Sequence, residues 1–361
     1  MRIEQLTFTR FVAAISIVIF HYGKDVPPFN YLSFLFQQAN IGVSYFFILS
    51  GFVMIIAYHN KEKVHFLSYM QKRFARIYPV TFLAAILLLF FKILELLIYP
   101  EKSDLSIADF LLGISLQQAW LPAKALSFNT PAWSITVEWF FYLCFPFIFN
   151  RFYKRPNMWL ISTITLVFWL ISQYILHYFL SSSFYMGFPS ASHSLIHYFP
   201  LLHLNEFLIG NVAGLFFLKY LRKIKKSNDL MIIALLILLI IILKYNLVLS
   251  FHNGLLMVVF VPMILLISCN TGLICKFFNL KYLIHLGDIS FGIYILQKPI
   301  FMLFKGIFTK LNWQQPELQF YISVVFLLIA SLISYRHIES PLRTKISKLN
   351  IFKNNNFNLY K

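Results

Sequence analysis

Of the 361 residues, 59% are apolar or aromatic and only 12% are charged, against roughly 25% charged in an average soluble domain. So little charge cannot cover a water-facing surface, which excludes a soluble globular protein and points to an all-α, polytopic integral membrane bundle. The net charge of +18 would suggest nucleic acid in a soluble chain, but its distribution gives it a topological meaning and no nucleic-acid partner is expected.

Ten spans are predicted in chain order, at roughly 7–22, 41–58, 79–99, 133–150, 157–180, 197–219, 230–249, 254–271, 284–306 and 318–336. The apolar stretch 107–121 is too short to cross and is predicted as an interfacial or re-entrant piece. Residues 11–20 have the apolar character of a signal peptide, yet Arg10 interrupts their start and no small-residue cleavage site follows, so they belong to the first span. With the N-terminus in the cytoplasm, the inner connections and the tail carry 21 Lys or Arg. The outer connections carry only Lys24, Lys102, Lys124, Lys305 and Lys310. That asymmetry predicts cytoplasmic N- and C-termini. Residues 1–340 are read as one transmembrane domain and 341–361 as a short basic cytoplasmic tail. Cys144, Cys269 and Cys275 lack metal-ligand spacing, and no metal site is expected.

Ionisable groups inside spans are costly and mark functional candidates: Arg10, His21, Lys92, Glu95, Glu138, His203, Glu206 and Lys298. Arg10 and His21 share one face of the first helix, about 16 Å apart. Counting depth along each span puts His21, Glu138, Ser50, His203, Glu206 and Gln297 in one layer toward the outer face, which predicts a shared polar cavity. Three local motifs add to this. FFILSGF (Phe46 to Phe52) puts Ser50-Gly51 inside an apolar span, either as a break facing a cavity or as a small-residue packing site. KRFARIYP (Lys72 to Pro79) sets Arg73 and Arg76 on one face, suited to phosphate or to anionic lipid headgroups. PAWSITVEWFF (Pro131 to Phe141) sets Ser134 and Glu138 at i,i+4 with Trp133 and Trp139 beside them.

Taken together these motifs resemble the acyltransferase-3 family of bacterial membrane acyltransferases. The similar features are Arg10 with ten residues before His21, FFILSGF, the Arg73/Arg76 pair before Tyr78-Pro79, and PAWSITVEWFFYLCFP (Pro131 to Pro146). Further along come NEFLIG (Asn205 to Gly210), LGDISFGIYIL (Leu286 to Leu296) and IESP (Ile338 to Pro341), so the resemblance runs through nearly the whole chain in order. One departure is Gln297, where family members often carry a histidine; glutamine takes up no proton, which leaves His21 as the stronger base candidate. The chain resembles a stand-alone form of the family, without the extracytoplasmic SGNH-type domain that some members carry.

The resemblance implies a protein of the bacterial inner membrane that moves an acyl group, usually acetyl, from cytoplasmic acyl-CoA to a hydroxyl of a surface glycan such as lipopolysaccharide O-antigen or capsule. Acetyl-CoA is then a donor substrate and no cofactor is permanently bound. Arg10, Arg73 and Arg76 are the expected CoA-phosphate ligands, and His21 the general base. Glu138 is expected to orient the imidazole, and Ser50 with a loosened Gly51 backbone to bind the oxyanion. Trp133, Ser134, Glu206, Gln297 and Tyr294 are the candidates for contacts to the sugar acceptor. The competing class is a multispan transporter or flippase for a polar or lipid-linked substrate, which would use the same buried charges as a path.

Overall fold

The computed structural model describes residues 3–98, 100–102, 105–245 and 249–349, and these are helical with turns and one isolated bridge, Lys226 to Asn270. The main helices are α1 (Gln5–Tyr22), α2 (Gly42–Tyr58), α3 (Phe66–Ile98), α4 (Ile107–Ile114), α5 (Trp133–Ile148) and α6 (Met158–Ser181). After them come α7 (Ala191–Tyr198), α8 (Leu204–Phe216), α9 (Asp229–Lys244) and α10 (Met257–Cys269). The chain ends with α11 (Lys281–Asp288), α12 (Ser290–Lys310), α13 (Pro316–Ser334) and α14 (Ser340–Lys348). The tail read from 341 onward is therefore helical as far as Lys348, and residues 350–361 lie outside the described part.

Among the described residues, eight helical segments are long and apolar enough to cross a membrane. The predicted seventh and eighth spans are α9 and α10, of 16 and 13 residues, or about 24 and 20 Å at 1.5 Å per residue. Neither reaches the ~20 residues that a bilayer core needs. The predicted third span begins earlier, at Phe66, because Pro79 lies inside a continuous helix. The ninth is divided at Ile289 into α11 and α12. The segment 107–121 forms the eight-residue α4 and a following turn.

Burial divides the bundle into a centre and a rim. Helix α2 is mostly buried, whereas α6 exposes Trp159, Leu160, Ile164, Leu170, Ile171 and Tyr174 along its length. An exposed apolar face of that extent is what a lipid-facing helix presents. The tightest central crossing is α2 against α8. A Cβ on Gly51 would lie 2.2 Å from the Phe207 carbonyl oxygen, and one on Gly210 would lie 2.0 Å from that of Ile48. Small residues are what let two backbones approach so closely. The packing alternative for FFILSGF thus holds: α2 runs unbroken through Ser50-Gly51, and the loosened backbone expected there is not found. Gly51→Ala should destabilise the protein by about 1–3 kcal/mol through overpacking, against the ~1 kcal/mol that alanine gains in a helix. A lower thermal midpoint in detergent would register it; an unchanged midpoint would show that α8 can shift.

Candidate active site

At the end of the bundle holding Arg10, a cavity of about 290 Å³ opens between α1, α2, α3, α5, α12 and α14. Its lining includes Arg10, Ser50, Arg73, Arg76, Ser134, Glu138 and Tyr294, seven of the eleven site residues expected from sequence. It also includes Tyr142, Asp288 and Arg343, which sequence reasoning missed. Four arginines against two acids give the lining an excess of positive charge.

Each helix contributes by its period. Ser134, Glu138 and Tyr142 recur every four residues and share one face of α5. Arg73 and Arg76 share a face of α3 near its start. Arg73 sits in an aromatic cage, its guanidinium carbon 5.6, 5.4 and 5.6 Å from the ring centres of Tyr58, Tyr69 and Tyr142. It donates to the Tyr58 hydroxyl at 3.2 Å, while its buried Nε has no hydrogen-bond partner. A buried donor without an acceptor is costly, and an incoming phosphate oxygen would relieve that cost. The last helix reaches this cavity because a π turn at Tyr335–Glu339 bends the chain onto α3. Gln71 Nε2 then donates to the carbonyls of Ile346 and Leu349, at 2.6 Å each. The bend buries Glu339, which lies within electrostatic reach of Arg76, Arg343 and Arg10. The IESP motif was the sequence signal for Glu339, and the i+4 step from Glu138 was the signal for Tyr142.

Glu138 is engaged inside this cavity. Its Oε1 accepts from the Ser50 hydroxyl at 3.4 Å and from the Tyr142 hydroxyl. His21 has a different partner, contrary to the orienting role expected for Glu138: its Nδ1 lies 2.8 Å from Oε1 of Gln297. The amide is held by Nε2 donating to the Tyr294 carbonyl at 2.6 Å, so Oε1 accepts and Nδ1 carries the proton. That tautomer leaves Nε2 of a neutral His21 as a base. Gln297 thus fixes the orientation and tautomer of the imidazole by hydrogen bonding. His21 itself is exposed at the far end of α1 and does not line the arginine cavity. A short relay separates them: Tyr294, whose hydroxyl meets that of Ser134 at 2.8 Å, lines the cavity one helical turn from Gln297.

The single polar layer expected from depth counting is in fact divided. His203 pairs with Glu206 at 2.7 Å and bonds the His197 carbonyl, buried beneath Trp133 and Phe47. Trp133 and Glu206 are buried there and line neither the arginine cavity nor a second one at the far end. Depth along a helix gives no azimuth, and these side chains face the α7–α8 packing. Asn40 Nδ2 donates to Nε2 of His252 in the neighbouring loop at 2.7 Å, which requires a neutral ring. Burial, then repulsion from His203 and His193, pushes the His252 pKa down to about 4. Unfolding takes up a proton between pH 4 and the ordinary value near 6.5, so stability should fall as pH drops through that window. Thermal midpoints recorded from pH 7 to pH 4 should decline less in His252→Gln than in the parent; parallel curves would remove His252 as the cause.

A family model described as an acyltransferase domain matches residues 3–336. O-acetyltransferase OatA of Staphylococcus aureus is 26% identical over 367 residues, covering 93% of this chain and 56% of that protein. Peptidoglycan O-acetyltransferase OatA of Listeria monocytogenes is 23% identical over 394 residues, covering 98% of this chain and 58% of its own. Acyltransferase MdmB of Streptomyces mycarofaciens is 34% identical over 167 residues, 43% of this chain and 41% of MdmB. The chain thus spans little more than half the length of the OatA relatives, and no solved structure matches it. With the family model running through α1 to the end of α13, and the arginine cavity built from its motifs, the chain belongs to the acyltransferase-3 family.

Proposed function

We propose that this chain is a multi-pass membrane O-acyltransferase of the bacterial cytoplasmic membrane. It moves an acyl group, acetyl first of all, from cytoplasmic acyl-CoA to a hydroxyl of a cell-envelope glycan. The observation that carries the reading is the arginine cavity with its unpartnered Arg73 Nε, one helical turn of α12 away from an oriented histidine. The names of the OatA relatives favour an O-linked acetyl group and a wall glycan as acceptor. The positive-inside asymmetry supports a cytoplasmic position for the arginine end, where CoA is available.

In this mechanism Arg10, Arg73, Arg76 and Arg343 hold the donor's phosphates. The cavity is near the lower end of the ~300–1,000 Å³ range for ligand pockets, so it suits the pantetheine arm and leaves the nucleotide at its mouth. The acceptor hydroxyl gives its proton to Nε2 of His21 as its oxygen attacks the thioester carbonyl. The carbon–sulfur bond then breaks, the ester forms, and the thiolate leaves as CoA after taking up that proton. The Ser134–Tyr294 hydroxyl pair lies along the path and can donate to the developing oxyanion.

A second reading uses the Ser50–Glu138 contact, with Glu138 as base and Ser50 as a transient acyl carrier. Under it Glu138→Gln abolishes turnover while His21→Asn leaves much of it; the first reading expects the reverse order of severity. The test supplies membranes containing the chain with isotope-labelled acetyl-CoA and scores base-labile label in glycan. Label above that of membranes lacking the chain supports acyl transfer. Its absence, with uptake of a lipid-linked sugar instead, would favour the transporter class.

A further inference from the structure

The arginine cavity has a deep end whose walls differ in how firmly they are held. Its lining on α2 runs from Ile56 to Val43, about 20 Å along the helix. Arg73 packs over Tyr58 at the C-terminal end of α2, so the end toward Val43 is the one remote from the caged guanidinium. The walls there are Val43, Phe46 and Phe47 of α2, Ser134 and Ile135 of α5, and Tyr294 of α12.

Most of this end wall is locked. The Ser134 and Tyr294 hydroxyls meet at 2.8 Å, and their oxygens lie 3.1 and 3.0 Å from the carbonyl oxygen of Pro131. Both side chains are buried, so moving either one would leave a hydroxyl without a partner. Phe47 is buried edge-on against Trp133 and Phe141, with ring centres 6.1 and 5.2 Å away. Phe46 is different. Phe46, Ser50 and Val53 follow the helical repeat along α2 and line the cavity, and each keeps some exposed surface. Their neighbours Phe47, Leu49, Phe52 and Met54 are buried. The Phe46 ring thus has a free side, and its other side stands edge-on to the Tyr294 ring at 6.1 Å.

We infer that Phe46 sets the length of the acyl group the donor can carry: acetyl and propionyl are accepted, and butyryl or longer chains meet its ring. This deepens the acyltransferase reading and rests on it. With the donor's phosphates held by arginines, the reach of the pantetheine arm is fixed, and each added methylene must advance into the deep end. A cavity of about 290 Å³ that already holds the arm leaves little room beyond the thioester. An alkyl tail pressed against the Ser134–Tyr294 pair would also crowd a packed wall and desolvate its hydroxyls. Among the apolar side chains of this end, Phe46 is the one whose removal opens space without unpacking the core.

Competition between two donors in one reaction tests this, using membranes that contain the full chain and its glycan acceptor. Differently isotope-labelled acetyl-CoA and butyryl-CoA are supplied together, and the ratio of the two labels in base-labile ester is read. That ratio is independent of how much of the protein is folded, so loss of stability alone does not move it. The parent should favour acetyl by about tenfold or more. Phe46→Ala should cut the preference by about tenfold, and Phe46→Leu, the milder change, by less. Phe46→Trp should extend the discrimination to propionyl-CoA. Val53→Ala, about 10 Å nearer the arginine end on the same face, should keep the parent ratio. Equal use of acetyl and butyryl by the parent, a ratio unmoved by both Phe46→Ala and Phe46→Leu, or an equal shift in Val53→Ala overturns the inference while leaving acyl transfer in place. No ester label from either donor overturns the acyltransferase reading and the inference with it.

Discussion

His21→Ala should lower acetyl transfer by about 10²–10⁴-fold while acetyl-CoA binds as before, because in the proposed mechanism the donor's phosphates meet arginines and not the imidazole. The geometry makes this specific. Gln297 Oε1 accepts from Nδ1, so the free lone pair is at Nε2, at the exposed end of α1 where an acceptor hydroxyl can reach it. Gln297→Ala should give a milder loss, about tenfold, falling on kcat and sparing the KM for acetyl-CoA, since the ring stays but its tautomer is no longer held. Steady-state rates with saturating labelled acetyl-CoA, alongside direct binding of the donor, separate the two effects. Full activity in His21→Ala would take the imidazole out of the reaction and leave Glu138 as the base.

Arg73→Ala should weaken acetyl-CoA binding about 100-fold, and Arg73→Lys should recover only part of that loss. A lysine keeps the charge, but it loses the planar face that Tyr58, Tyr69 and Tyr142 enclose and the Nε–H that awaits an acceptor. The parent should also lose affinity steeply as salt rises, whereas Arg73→Ala should show a shallower dependence. Kd values from titration at two ionic strengths decide it. If Arg73→Lys bound like the parent, charge alone would matter and the aromatic cage would be only packing.

Seven residues of the arginine cavity were legible before any fold was known, whereas Tyr142, Asp288 and Arg343 were not. A guanidinium pair at i,i+3, a serine and a glutamate at i,i+4, and an arginine eleven residues before a histidine are local patterns, set by a helix of 3.6 residues per turn. The apolar runs likewise pointed to eight of the ten expected spans, because a bilayer demands length and low charge of each segment taken alone. The ends were less legible: whether α9 and α10 reach full length depends on where neighbours pin the chain, as Trp169 and Gln173 pin Gly254 and Asn253.

Partnership was decided only by the tertiary structure. Depth arithmetic set His21, Glu138, His203 and Glu206 in one layer, yet the azimuth of each helix turned Glu138 toward Ser50 and Tyr142, Glu206 toward His203, and His21 toward Gln297. Gly51 shows the same limit: its missing side chain is a contact with α8, which no window of neighbouring residues contains. The sequence by itself determined which groups are chemically capable and roughly how deep each one lies, since composition and helical rise are local properties. Which of them meet is a matter of helix rotation and crossing, and those follow from packing against partners far away in the chain.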